Sequence, residues 1–166
     1  MIKTLGILGG TFDPIHFGHL LTAEIGRETL DLERVLFLPA GDPPHKQGAN
    51  ITPADHRRRM TELAISDNPR FELCAIDLER PGPNYSLETI RLIRRRYDLP
   101  ADRCFFIIGA DSLADLPAWH QPDALIQLCR LAVAHRPGYQ PDLGRLETII
   151  PGLTERLVWL EIPLLE

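Results

Sequence analysis

Two histidines, His16 and His19, stand three residues apart in the stretch GILGGTFDPIHFGHLL, Gly6 to Leu21. At that spacing both imidazoles can project to the same side of one helical turn. Each can donate a hydrogen bond or carry positive charge. Ahead of them, Gly9 and Gly10 end an apolar run without side chains, so a ligand can approach the backbone closely. A helix starting near Gly18 adds free N–H groups and the positive end of its dipole. Bare backbone, helix N-terminus and paired imidazoles together suit a polyphosphate. A plainer reading makes His16 and His19 capping residues of a strand–turn–helix. The run has neither the G-x-G-x-x-G of dinucleotide-binding folds nor the Gly-Lys-Ser/Thr of a Walker loop.

The elements that must position these residues alternate along the chain. Apolar runs of strand length are Lys3–Leu8, Arg34–Pro39, Phe71–Leu78, Arg103–Gly109, Leu131–His135 and Leu157–Ile162. Their near-continuous Ile, Leu, Val and Phe predict parallel strands covered on both faces. Helical patterns lie between them. His19–Leu32 places Leu21, Ile25 and Leu32 on one stripe. Thr52-Pro53-Ala54-Asp55 predicts a helix start capped by Thr52, Ser86 a cap for the Leu87, Ile90, Ile93, Tyr97 stripe, and Pro122-Asp123 a further start. Loops rich in Gly and Pro fall at Gly41–Pro53, Pro81–Asn84 and Pro137–Gly144. The alternation predicts one α/β domain, a Rossmann-like doubly wound parallel sheet. In such a sheet ligands bind beyond the carboxyl ends of the strands, where Gly9-Gly10 falls.

Composition narrows the function. A length of 166 residues gives one core, and a net charge of −5 argues against a general nucleic-acid binder, so any anion site is local. No apolar run reaches a membrane span of about 18 residues. Met1-Ile2-Lys3 leads straight into a strand, so no signal peptide is expected. The three cysteines, Cys74, Cys104 and Cys129, are unpaired in spacing and read as reduced core residues of a cytoplasmic protein. No ligand set for a metal stands out.

The block GGTFDPIHFGH resembles the signature of the nucleotidylyltransferase superfamily with the His-x-Gly-His motif. More narrowly, PPHK, PNYSLET, IIGADSL, LPAWH and HRPG, in that order, make the whole chain similar to bacterial nicotinate-nucleotide adenylyltransferases. The resemblance implies AMP transfer from ATP to nicotinate mononucleotide, with Mg²⁺ brought by ATP. It implies that Gly9, Gly10, Thr11, Phe12, His16, Gly18 and His19 meet ATP, with His16 and His19 catalytic. It places Lys46 near the mononucleotide phosphate, Trp119 on the pyridine ring, amides around Ser86 and His120 at the nicotinate carboxylate, and Asp111 near the ribose. Pantetheine-phosphate adenylyltransferase, cytidylyltransferase and a nucleotide-binding module without turnover are the alternatives. Oligomeric state is open, a homodimer included.

Other residues read less sharply. Asp111 could contact ligand or cap the helix after it, and Trp119 could plug the core. Arg57-Arg58-Arg59 and Arg94-Arg95-Arg96 read as solvated faces, because successive helical residues diverge. Arg136, at a strand exit, is a candidate phosphate contact. The family pattern continues with a Ser/Thr-rich helix start bearing an Arg, whereas this sequence ends at VWLEIPLLE. A domain of residues 1–166 without the family's C-terminal helical segment, and with weakened ATP binding and little turnover, is therefore expected.

Overall fold

A computed structural model describes residues 1–41 and 50–164. Six strands, β1 (Leu5–Gly10), β2 (Arg34–Pro39), β3 (Phe71–Leu73), β4 (Cys104–Gly109), β5 (Arg130–His135) and β6 (Leu157–Glu161), form one sheet. Its order is β3-β2-β1-β4-β5-β6 and every pairing is parallel. The connecting helices are α1 (Phe17–Thr29), α2 (Ala54–Ile65), α3 (Ile76–Glu79), α4 (Ser86–Tyr97), α5 (Ala110–Ala114), α6 (Pro122–Leu128) and α7 (Leu143–Ile149). Buried side chains form a core on each face of the sheet. One joins Leu87, Ile90 and Ile93 of α4 to Leu125 and Ile126 of α6, and the other lies under α1 and α2. This is the doubly wound arrangement that the strand–helix alternation predicts.

The chain winds outward through β1, β2 and β3, then returns to place β4 beside β1. That reversal is where a parallel sheet opens a crevice. Register shows how it opens. β1 stays paired with β2 as far as Gly10 opposite Pro39, but its pairing with β4 stops at Leu8 opposite Ile107. Beyond that point Gly9-Gly10 and Ile108-Gly109 part company at the carboxyl edge.

Of the expected Leu21, Ile25, Leu32 stripe, Ile25 packs against the core and Leu32, just past the helix end, is buried in it, but the fully buried face of helix α1 is made of small residues. It buries Gly18, Thr22, Ala23 and Gly26. A Cβ on Gly26 would lie 3.1 Å from Ile107 Cδ1, so the helix rides close to the sheet. Its N-terminus is thereby brought down to the strand ends.

Several boundaries differ from the sequence reading. β3 is cut to Phe71–Leu73 because the chain turns into α3, where Asp77 is drawn inward by Arg80 and Thr89. Thr52 does not cap α2. Pro53 holds the cap position without a side-chain bond, while Thr52 N–H donates to Asp13 Oδ2 at 2.9 Å. Ser86 is the first residue of α4 rather than its cap, which falls on Tyr85. Helices α5 and α7 lie in stretches too short to show a helical period.

Candidate active site

A cleft of about 590 Å³ lies at the crevice between β1 and β4. Gly9 and Gly10 line it from β1, Thr11 from the loop that follows, His16, Gly18, His19 and Thr22 from the cap and first turns of α1, and Ile108, Gly109 and Asp111 from β4 and α5. Ser86, Trp119, Arg136 and Tyr139 complete the wall.

Both histidines do cap α1, and this is what aims them. His16 is the N-cap, and its Nδ1 accepts the Gly18 N–H at 3.1 Å. His19, three residues on, accepts the His16 N–H at its own Nδ1, also at 3.1 Å. This is a capping box built from imidazoles in place of the usual Ser/Thr and Glu. With Nδ1 of each ring spent as an acceptor, the neutral imidazole carries its proton on Nε2. The two rings stack, centroids 3.8 Å apart and planes 27° apart, and both residues line the cleft.

The sequence reading allowed each histidine a positive charge, and for His19 the structure revises that. Its pKa is lowered from 6.5 to about 4 by burial first, then by His16 and by the Arg136 guanidinium. At neutral pH His19 is a neutral donor.

Phe12 takes no part in the cleft wall with its side chain. It sits at φ 51°, is 2% exposed and packs edge-on to the His19 ring at 5.0 Å and against Phe37 at 6.0 Å. Its contribution is to back His19. Asp111 does not cap α5: Gly109 is the N-cap, without a side-chain bond, and Asp111 is exposed in the first turn, facing the cleft. Trp119 packs edge-on against Phe106 at 6.2 Å and also lines the cleft.

Across the cleft, α4 begins at Ser86 with no side chain capping it. The first N–H groups of a helix have no partner within it, so they are available to an anion. Tyr85 stacks on the His120 ring, centroids 4.4 Å apart, which joins the Ser86 and Trp119-His120 segments. His120 itself is exposed at the rim. Lys46 lies outside the described residues.

Arg57 is the residue that sequence reasoning misplaced. It is not solvated but 2% exposed, and it donates to Thr52 O at 2.8 Å, Thr11 O at 3.0 Å and Ala40 O at 2.6 Å. Its place was readable backward from Ile65: positions 65, 61 and 57 form one buried stripe of α2. Tyr139 and Asp77 also line the cleft unforeseen.

A family model described as cytidylyltransferase-like matches residues 7–162. A relative from Thermomicrobium roseum is 48% identical over 99% of this chain and 76% of its own length, and carries the name probable nicotinate-nucleotide adenylyltransferase. The chain belongs to this family. A Roseiflexus relative of the same name is 46% identical over 98% of this chain and 80% of its own. Among solved structures, a Plasmodium falciparum nicotinic acid mononucleotide adenylyltransferase complexed with NaAD superposes with TM-score 0.75 at 19% identity, covering 99% of this chain and 77% of that one. The same protein complexed with APC gives TM-score 0.73 at 18% identity, with the same coverage. At those identities the likeness extends to the fold, and it is the Rossmann-like sheet described above.

Among the described residues no helix is long and apolar enough to cross a membrane, and no three His, Cys, Asp or Glu side chains gather as a metal cage. All three cysteines are free and buried, and burial pushes the Cys104 thiol up to about 12, in keeping with inert core thiols.

Proposed function

We propose that this chain forms one nucleotidyltransferase domain, residues 1–166, that transfers the adenylyl group of ATP to nicotinate mononucleotide, making nicotinate adenine dinucleotide and pyrophosphate. The observation that carries this reading is the imidazole capping box. It places two Nε2–H donors and the positive end of the α1 dipole on the wall of the switch-point cleft, where a polyphosphate fits. The names of the relatives at 48% and 46% identity support the choice of substrates.

The chemistry asks for little covalent help. A phosphate monoester has a second pKa of about 6 and is mostly a dianion at neutral pH, so no base is needed to make the nucleophile. One of its oxygens attacks the α-phosphorus of ATP. The bond to the β-phosphate oxygen breaks, and the electron pair leaves with pyrophosphate. The protein's work is to align the two phosphates and to stabilise charge where it grows. His16 Nε2 and His19 Nε2 supply fixed donors, and the α1 dipole and Arg136 supply positive potential at the same wall.

Mg²⁺ bound to ATP would add charge neutralisation at the leaving phosphates. The described carboxylates of the cleft wall are Asp77 and Asp111, a donor set that fits an ion delivered by ATP rather than one held in a protein cage. On the acceptor side, Trp119 offers a face for the pyridine ring. The uncapped start of α4 at Ser86, next to His120, offers N–H groups to the carboxylate. A coupled pyrophosphate assay with ATP and each pyridine mononucleotide in turn tests the reading, and pyrophosphate release that does not depend on nicotinate mononucleotide would overturn it.

A further inference from the structure

The Arg57 guanidinium gathers three carbonyls from separate segments at the carboxyl edge of the sheet. Thr11 O belongs to the loop between β1 and α1, Ala40 O follows β2, and Thr52 O precedes α2. The side chain is buried with no carboxylate within ion-pair distance of it among the described residues. Burying a cation without a paired anion is costly unless its donors are satisfied. Here backbone carbonyls satisfy three of its bonds, and the nearby Asp13 charge offsets part of the desolvation. Such a group is an expensive way to hold a loop unless the loop position matters.

The loop it holds carries the catalytic donors. Thr11 precedes Phe12, whose ring backs His19 at 5.0 Å, and His16 caps α1 four residues after Phe12. Two further bonds complete the lattice: Ala40 N–H donates to Gly10 O at 2.9 Å, and Thr52 N–H donates to Asp13 Oδ2 at 2.9 Å. The planar fork can meet several carbonyls at once, which a Lys ammonium on its flexible stem does not reproduce.

We propose that Arg57 is a positioning residue of adenylyl transfer: by fixing the Thr11, Ala40 and Thr52 carbonyls it keeps the β1–α1 loop, and through it the His16–His19 donors, in register with the cleft. This rests on the transfer reading above. A misplacement of about 1 Å costs on the order of 10²-fold in rate when positioning dominates catalysis. The loss should fall on kcat, because the donors matter most for charge that develops during transfer, and both KM values should stay within about threefold.

The test compares Arg57→Lys with wild type, with Arg59→Ala as the control from the exposed face of the same helix. Turnover is measured per folded molecule, well below each thermal midpoint, and nitrogen NMR of the imidazole rings reads the His16 and His19 tautomers. A fall in kcat of about tenfold or more, with KM within about threefold and mixed tautomers, supports the role. A smaller fall in kcat, or one carried by KM alone, overturns it. If Arg57→Lys does not fold, Arg57→Gln and Arg57→Met carry the same comparison, and failure of all three to fold assigns Arg57 to stability and overturns the role. An inactive wild type would overturn the transfer reading instead, and the tautomer signals would still decide whether Arg57 sets the histidines.

Discussion

His16 and His19 stack at 3.8 Å while each offers Nδ1 to a backbone N–H, so the cap of α1 and the donor pair are one object. A substitution at either ring therefore acts on local structure and on chemistry together. His19→Ala removes a fixed donor facing the transferred charge and is expected to lower kcat by roughly 10²-fold or more, with mononucleotide binding little changed. Steady-state kinetics with saturating mononucleotide checks this, and near-normal turnover would remove His19 from the mechanism.

The low pKa of His19 fixes a sign for stability. Its folded value is lowered from 6.5 to about 4. Between those values the unfolded chain binds a proton that the folded chain refuses. The contribution is complete above the unfolded value and is lost as pH falls toward the folded one. Thermal midpoints at pH 7 and pH 5 should therefore drop more for wild type than for His19→Asn, which cannot titrate there. Equal slopes would show that His19 is not held neutral. An acid limb in turnover near pH about 6 belongs instead to the substrate phosphate and should persist in that variant.

The α4 start at Ser86 and the ring of Trp119 predict base choice. A carboxylate accepts charge-assisted bonds from N–H groups that a neutral carboxamide does not match. Two such bonds, each stronger by about 1.5 kcal/mol, give on the order of 10²-fold preference for nicotinate over nicotinamide mononucleotide in kcat/KM. Trp119→Ala should raise KM for both bases through lost stacking. Equal kcat/KM for the two mononucleotides would refute this pocket.

Gly10 makes room for the ring that backs His19. A Cβ there would lie 3.0 Å from Phe12 Cε1, and Phe12 is already wedged against Phe37. Gly10→Ala is expected to cost about 1–3 kcal/mol by overpacking, a loss of about 2–4 °C in thermal midpoint per kcal/mol. Turnover should fall with it as Phe12 pushes on His19. An unchanged midpoint with unchanged kcat would show that the Phe12 ring yields freely.

The sheet was legible because buried parallel strands are apolar almost throughout, and Arg34–Pro39 is found where it was read. The glycines and paired histidines of the first loop were legible because their spacing has few other uses. What the sequence hid depends on tertiary burial. Arg57 looks solvated beside Arg58 and Arg59 until the carbonyls of three distant segments are brought to it. The small-residue face of α1 was masked by the louder Leu21 and Ile25, because close approach to the sheet is driven by what a residue lacks. The neutral state of His19 depends first on burial, which only the folded chain supplies, and then on His16 and on Arg136, which follows β5.

Product analysis tests the transfer reaction most directly. The protein is incubated with Mg²⁺, ATP or CTP, and nicotinate mononucleotide or phosphopantetheine, and the products are identified by mass and by pyrophosphate release. The expected result is nicotinate adenine dinucleotide with an equal amount of pyrophosphate from ATP and nicotinate mononucleotide, lost in His19→Ala. Dinucleotide formed only from CTP, transfer only to phosphopantetheine, or no product from ATP and nicotinate mononucleotide would contradict it.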